Sequence, residues 1–127
     1  MKRLSALRGA FRCRNDRDDI IAQTAALYDA LLERNGLVEG DIVSLQFSVT
    51  ADLDAINPCA ALRRSGRGGE LALFAQTEPV FRESLDRVVR ALLLCYREEG
   101  SGPVHVYQNG AEVLRPDRAH HPALPDG

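Results

Sequence analysis

SLDRVVRALLLCYREE, residues 84–99, carries apolar side chains at two periods at once. Leu85, Val88, Val89, Leu92 and Leu93 follow helical spacing, and periodicity alone favours a helix. As a strand, the same segment puts Val88, Arg90, Leu92 and Leu94 on one face and Val89, Ala91, Leu93 and Cys95 on the other. Both faces are then apolar, as expected of a central strand covered on both sides. Arg90 has a different task in each reading. On a helix it pairs with Asp86 one turn back, a surface ion pair worth about 0.3–0.5 kcal/mol. On a strand it projects from a dry row and needs a charged partner or an anionic ligand.

The flanking elements are plainer. Ile20, Ile21, Thr24, Leu27, Tyr28 and Leu31 form one stripe and predict a helix over 17–35. Asn15 or Asp16 can cap it, Asp18 and Asp19 suit the positive end of its dipole, and Asn35-Gly36 offers a left-handed stop. Val43, Leu45, Phe47 and Val49 alternate with Ser44, Gln46 and Ser48, which predicts a half-buried strand with one polar face. Turn residues follow to Asn57, and Pro58 opens a short helix over 58–65 that carries Arg63 and Arg64. Glycines at 66–69 make a loop, 71–74 a short strand, and 104–107 a strand entering a tight turn at Asn109-Gly110. The first fifteen residues hold five cations and no acid, yet Arg8 and Gly9 interrupt any leader-like apolar run, so the segment is read as part of the fold. One domain over 1–117 is expected, followed by a mobile tail over 118–127 whose His120 and His121 lack the company a metal site needs.

Composition narrows the partners. The chain has 127 residues, 16 cations and 18 acids, for a net charge of −2, which argues against sequence-independent nucleic-acid binding. No apolar run approaches the roughly 18–20 residues needed to cross a bilayer, so no membrane partner is expected. Only Lys2 among the 16 cations is a lysine. An arginine-rich chain of this charge can still build a local site for planar anions, because guanidinium forks match carboxylate and phosphate. Cys13, Cys59 and Cys95 form no C-x-x-C pair and are read as reduced, structural thiols of a cytosolic protein. No G-x-S-x-G, phosphate-cradling glycine loop, H-E-x-x-H or dinucleotide fingerprint occurs, so neither metal nor cofactor is expected.

Leu7-Arg8-Gly9-Ala10, then Asp52-Leu53 followed by Pro58, Ala61 and Arg63, then Glu78 and Arg90, and finally His105-Val106-Tyr107 through Leu114-Arg115-Pro116-Asp117 appear in this order. Over about residues 3–117 the chain resembles the monofunctional chorismate mutases of the trimeric α/β class. The resemblance implies an α+β fold, a mixed-sheet pseudo α/β barrel in a single domain. It implies a homotrimer with active sites at the interfaces, and it turns 84–99 into a strand. It also implies conversion of chorismate to prephenate by a Claisen rearrangement, in phenylalanine and tyrosine synthesis.

Roles follow from the same resemblance. Arg90 matches the cation beside the breaking ether bond, Arg8 and Tyr107 the groups that hold the side-chain carboxylate region, and Glu78 the acid that meets the ring hydroxyl and orients Arg90. Arg63 and Arg115 match more peripheral cations. Asn57 stands where the family usually has phenylalanine, Ala60 where a basic residue can occur, and Ala75 where cysteine or another small residue is common. These departures alter the pocket wall and predict a weaker KM. Two rival readings accompany them: a non-catalytic anion-binding trimer, and an imine or enamine deaminase on the related trimeric scaffold.

Overall fold

The computed structural model describes residues 1–114. Five strands form one mixed sheet in the order β3-β2-β4-β1-β5, with β1 at Lys2–Arg12, β2 at Ile42–Val49, β3 at Ala72–Thr77, β4 at Val88–Glu98 and β5 at Val106–Gln108. Central β4 runs antiparallel to both β1 and β2, while β3 and β5 add in parallel at the edges. Helices α1 (Arg17–Arg34) and α2 (Pro58–Arg64) pack on each other, α1 against β1 and β5, and α2 against β2 and β3.

The helical periodicity of 84–99 is therefore overruled: 88–98 is the middle strand. Leu and Ala at 91–94 are good helix formers, but both backbone edges of this segment are paired, from Lys2↔Glu98 through Arg12↔Val88 on one side and Ser44↔Leu94 through Val49↔Val89 on the other. Tertiary pairing outweighs local propensity. A second expectation also needs correction. Val89, Ala91, Leu93 and Cys95 are buried, but of the opposite row only Val88 is: Arg90, Leu92 and Tyr96 are exposed and Leu94 is half-buried, so that row is not dry. Within one chain the helices cover a single face of the sheet.

Local chemistry explains the other elements. Asp16 caps α1 by accepting the Asp19 N–H, whereas Asn15 ties the helix start to the loop after β2 through Asp54 and Ala55. Ile20, Thr24, Leu27, Tyr28 and Leu31 are the buried stripe. Asn35 closes the helix, donating to the carbonyls of Leu31 and Val104 and accepting the Val104 N–H at 2.8 Å, so the helix end also aims the chain into β5. Gly9 lets the helix lie close: a Cβ there would meet Leu27 Cδ1 at 3.0 Å and the Val106 carbonyl at 3.2 Å. In β2, Leu45 and Phe47 are buried as read, but the register shifts between Ile42 and Ser44 and Val43 is exposed. β3 runs three residues past the predicted 71–74. Among the described residues no helix is long and apolar enough to cross a membrane, and no cluster of His, Cys, Asp and Glu is placed to hold a metal. The tail over 118–127, with His120 and His121, lies outside the described residues.

Candidate active site

Sheet register assembles the site. Ser48, Arg90 and Ala10 are direct partners across β2, β4 and β1, and Tyr107 on β5 is the partner of Ala10. Two residues along, Gln46, Leu92 and Arg8 form the next row. Direct cross-strand partners share a face, and residues two apart return to it. Arg8, Ser48, Arg90 and Tyr107 thus lie on the face that the helices leave open.

Glu78 reaches this row from the end of β3. Its backbone N–H donates to the Val49 carbonyl at 2.8 Å, and its carboxylate Oε1 lies 2.7 Å from Arg90 Nε. The same Oε1 accepts a 2.7 Å hydrogen bond from Ser48 Oγ. The Glu78 side chain is 11% exposed and that of Arg90 46%, so the acid is sheltered while the cation faces outward. The row is not dry, but the expected charged partner is present: Arg90 has a carboxylate beside it, supplied by a different element.

The entrance to β4 is fixed with similar care. Asp52 accepts the Arg87 N–H with both carboxylate oxygens and a 2.6 Å hydrogen bond from Thr50 Oγ1. This clamp holds Arg87 at φ 51, a left-handed conformation unfavourable for a residue that carries a Cβ, immediately before the strand. On the other flank, His105 Nδ1 accepts the Arg8 N–H at 2.9 Å and fastens β1 to the segment that leads into Tyr107.

The remaining sequence-derived residues gather elsewhere. Ala75 is the partner of the buried Phe47, on the helix-covered face. It shares a cleft of about 410 Å³ with Asn57, Ile56, Thr50 and Thr77. Asn57 caps α2 by accepting the Cys59 N–H at 2.8 Å, and it opens a second, shallow concavity with Cys59, Ala60, Arg63 and Arg64. Arg63 donates to the Leu71 carbonyl at 3.2 Å. Burial pushes the Cys59 thiol pKa up, against the opposing pull of Arg63, which leaves it a poor nucleophile. Within one chain, Asn57, Arg63 and Ala75 do not join Arg8, Glu78, Arg90 and Tyr107. Arg115 lies outside the described residues.

Ser48 is missing from the sequence-derived set. Its signal was the polar face of the 43–49 alternation, which meets Arg90 once the β2–β4 register is known.

Comparison with known proteins gives this arrangement its kinship. Residues 4–118 match the family model of chorismate mutase type I. The chain is 36% identical over 114 residues to chorismate mutase AroH of Thermus thermophilus, spanning 87% of this chain and 93% of that protein. It is 26% identical over 116 residues to chorismate mutase AroH of Bacillus subtilis strain 168, spanning 90% and 91%. A solved chorismate mutase from Clostridium thermocellum shares the fold with a TM-score of 0.80 at 38% identity, over 87% of this chain and 99% of that one. Matched over nearly its whole length in sequence and in backbone, the chain belongs to the chorismate mutase type I family.

Proposed function

We propose that this protein is a chorismate mutase, an isomerase that converts chorismate to prephenate by an intramolecular Claisen rearrangement, without a covalent intermediate. The carrying observation is Arg90, held beside a sheltered Glu78 on the open sheet face. In the transition state C–O cleavage runs ahead of C–C formation, and negative charge gathers on the ether oxygen. A guanidinium already aimed there stabilises that state more than the ground state. Arg8 and Tyr107 receive the side-chain carboxylate region and hold the compact conformer, and Glu78 accepts the ring hydroxyl. Arg63 and Arg115 take peripheral positions, with Asn57 and Ala75 in the pocket wall.

The magnitudes are consistent with this division. An acceleration of ~10⁶-fold requires about 8 kcal/mol off the barrier. One preorganised charged donor supplies about 3–4 kcal/mol, and orienting the enolpyruvyl group can supply the rest.

The working unit is a homotrimer of pseudo-barrel form with sites shared between subunits. Two observations support it. Leu4, Phe74, Leu92 and Tyr96 are exposed on the sheet, at 52%, 59%, 37% and 48%, a larger apolar display than a lone small domain usually keeps. The second set of site residues, around Asn57 and Arg63, would meet the Arg90 row only across a subunit boundary. A cytoplasmic role in the shikimate pathway toward phenylalanine and tyrosine accords with this chemistry, and the catalytic domain is assigned to residues 1–117.

Adding chorismate to the purified protein and following loss of its ultraviolet absorbance, with prephenate identified by mass spectrometry, tests the activity. Saturable binding without turnover would instead indicate an anion-binding trimer, and ammonia release from an imino acid a deaminase.

A further inference from the structure

We infer that Ser48 is a positioning residue for this reaction, fixing which oxygen of Glu78 faces the substrate. The inference rests on the proposed roles of Glu78 and Arg90. Ser48 is the direct cross-strand partner of Arg90, and the two side chains converge on one atom: Oγ donates to Glu78 Oε1 at 2.7 Å, and Arg90 Nε lies 2.7 Å from the same oxygen. Among the described residues nothing donates a hydrogen bond to Oε2, which leaves it as the oxygen open to a substrate hydroxyl.

A glutamate terminal torsion is broad and nearly two-fold, so one ion pair does not choose between the two oxygens or fix the carboxylate plane. A second donor from a rigid strand does. Glu78 is already anchored to β2 through its backbone N–H on Val49, and the Ser48 hydroxyl ties its far end to the same strand. The carboxylate plane, and through it the guanidinium of Arg90, is then referenced to the sheet rather than to the loop that follows Glu78.

The charged groups around Glu78 are few. Arg90 comes from β4, with Arg8 in the neighbouring row of β1. Asp52 and Asp86 line the small concavity beyond it together with Pro79 and Val80. Asp52 is engaged by Thr50 and the Arg87 N–H, and Asp86 by Arg12 and Arg87. The Ser48 hydroxyl therefore shares the Glu78 carboxylate with a single near cation, the ion-paired Arg90.

The test compares Ser48→Thr with Ser48→Val, two side chains of equal shape that differ in the hydroxyl. The valine variant is expected to lose about 10- to 100-fold in kcat/KM, the range of a hydrogen bond to a charged group, with the loss falling mainly on kcat. The threonine variant is expected to restore most of the activity. Should the valine variant fail to fold by circular dichroism, Ser48→Ala takes its place, read by the same split of kcat against KM. Equal kcat and KM in the hydroxyl and non-hydroxyl variants would overturn the inference. Glu78→Gln separates the two levels: if it turns over chorismate like wild type, the assigned role of Glu78 fails, and if it is impaired while the Ser48 variants match one another, only the role of Ser48 fails.

Discussion

Arg90 and Glu78 form an unequal pair: Nε and Oε1 stand 2.7 Å apart, yet the carboxylate is sheltered at 11% exposure while the guanidinium is 46% exposed. The acid is a fixed abutment, and the cation keeps donors free to meet a ligand. Arg90→Lys retains the charge but loses the planar fork, and it is expected to lower kcat by about 10²–10³-fold with an unchanged melting temperature. Steady-state chorismate assays with thermal melts check this, and near-normal turnover would remove Arg90 from its assigned role.

Asn57 has a structural task of its own: its side chain accepts the Cys59 N–H and starts α2. Asn57→Phe supplies apolar wall but removes a cap worth about 1 kcal/mol. The melting temperature is expected to fall by about 3–5 °C while KM for chorismate improves. Calorimetry and initial rates read the two effects separately.

Asn35 clamps the end of α1 to Val104 with bonds that a substitution leaves unpaired. Asn35→Ala is expected to cost about 2–4 kcal/mol in urea unfolding. Hydrogen exchange should quicken at Val104 and through β5 before it does so in β2.

Cys13 is buried, and burial first, then the charges of Asp19 and Asp52, push its thiol up to about 11 while Arg87 opposes them. At pH 8 only about one part in a thousand is then thiolate, so native Cys13 should resist a thiol reagent that labels it in urea. An unfolded thiol ionises near ~8.5, so the stability from keeping Cys13 protonated is complete below that value and is lost as pH rises through about 11. Cys13→Ser is expected to flatten that alkaline limb in chemical denaturation.

Leu92 and Leu93 are adjacent on β4 and face opposite ways, at 37% and 0% exposure. Leu93→Ala should destabilise the fold by about 2–5 kcal/mol. Leu92→Glu should leave the secondary structure intact and shift the proposed trimer of 14.0 kDa chains toward the monomer in light scattering.

Legibility followed the range of the forces. The two ends of α1 and the Pro58 start of α2 were readable because helix starts and stops are decided within four residues. β4 was not, because an apolar row on each face masks the alternation that marks a strand, and Leu85, Val88, Val89, Leu92 and Leu93 satisfy helical spacing by coincidence. Arg90 stood out as a strand arginine in need of a partner, but Glu78 was named only through family resemblance, since the β2–β3 and β2–β4 registers that join the two are invisible to any local pattern. Ser48 stayed hidden for the same reason.

The alternation along β4 has an evolutionary corollary. From Val89 to Tyr96 the odd positions are packed inside and the even ones face the opposite way, so point substitutions can revise chemistry and assembly without disturbing the interior. A one-residue insertion or deletion there would transpose the two sets together, burying the guanidinium and expelling leucine. Length is therefore the frozen variable of this strand for folding, while side-chain identity on its even positions answers to function alone.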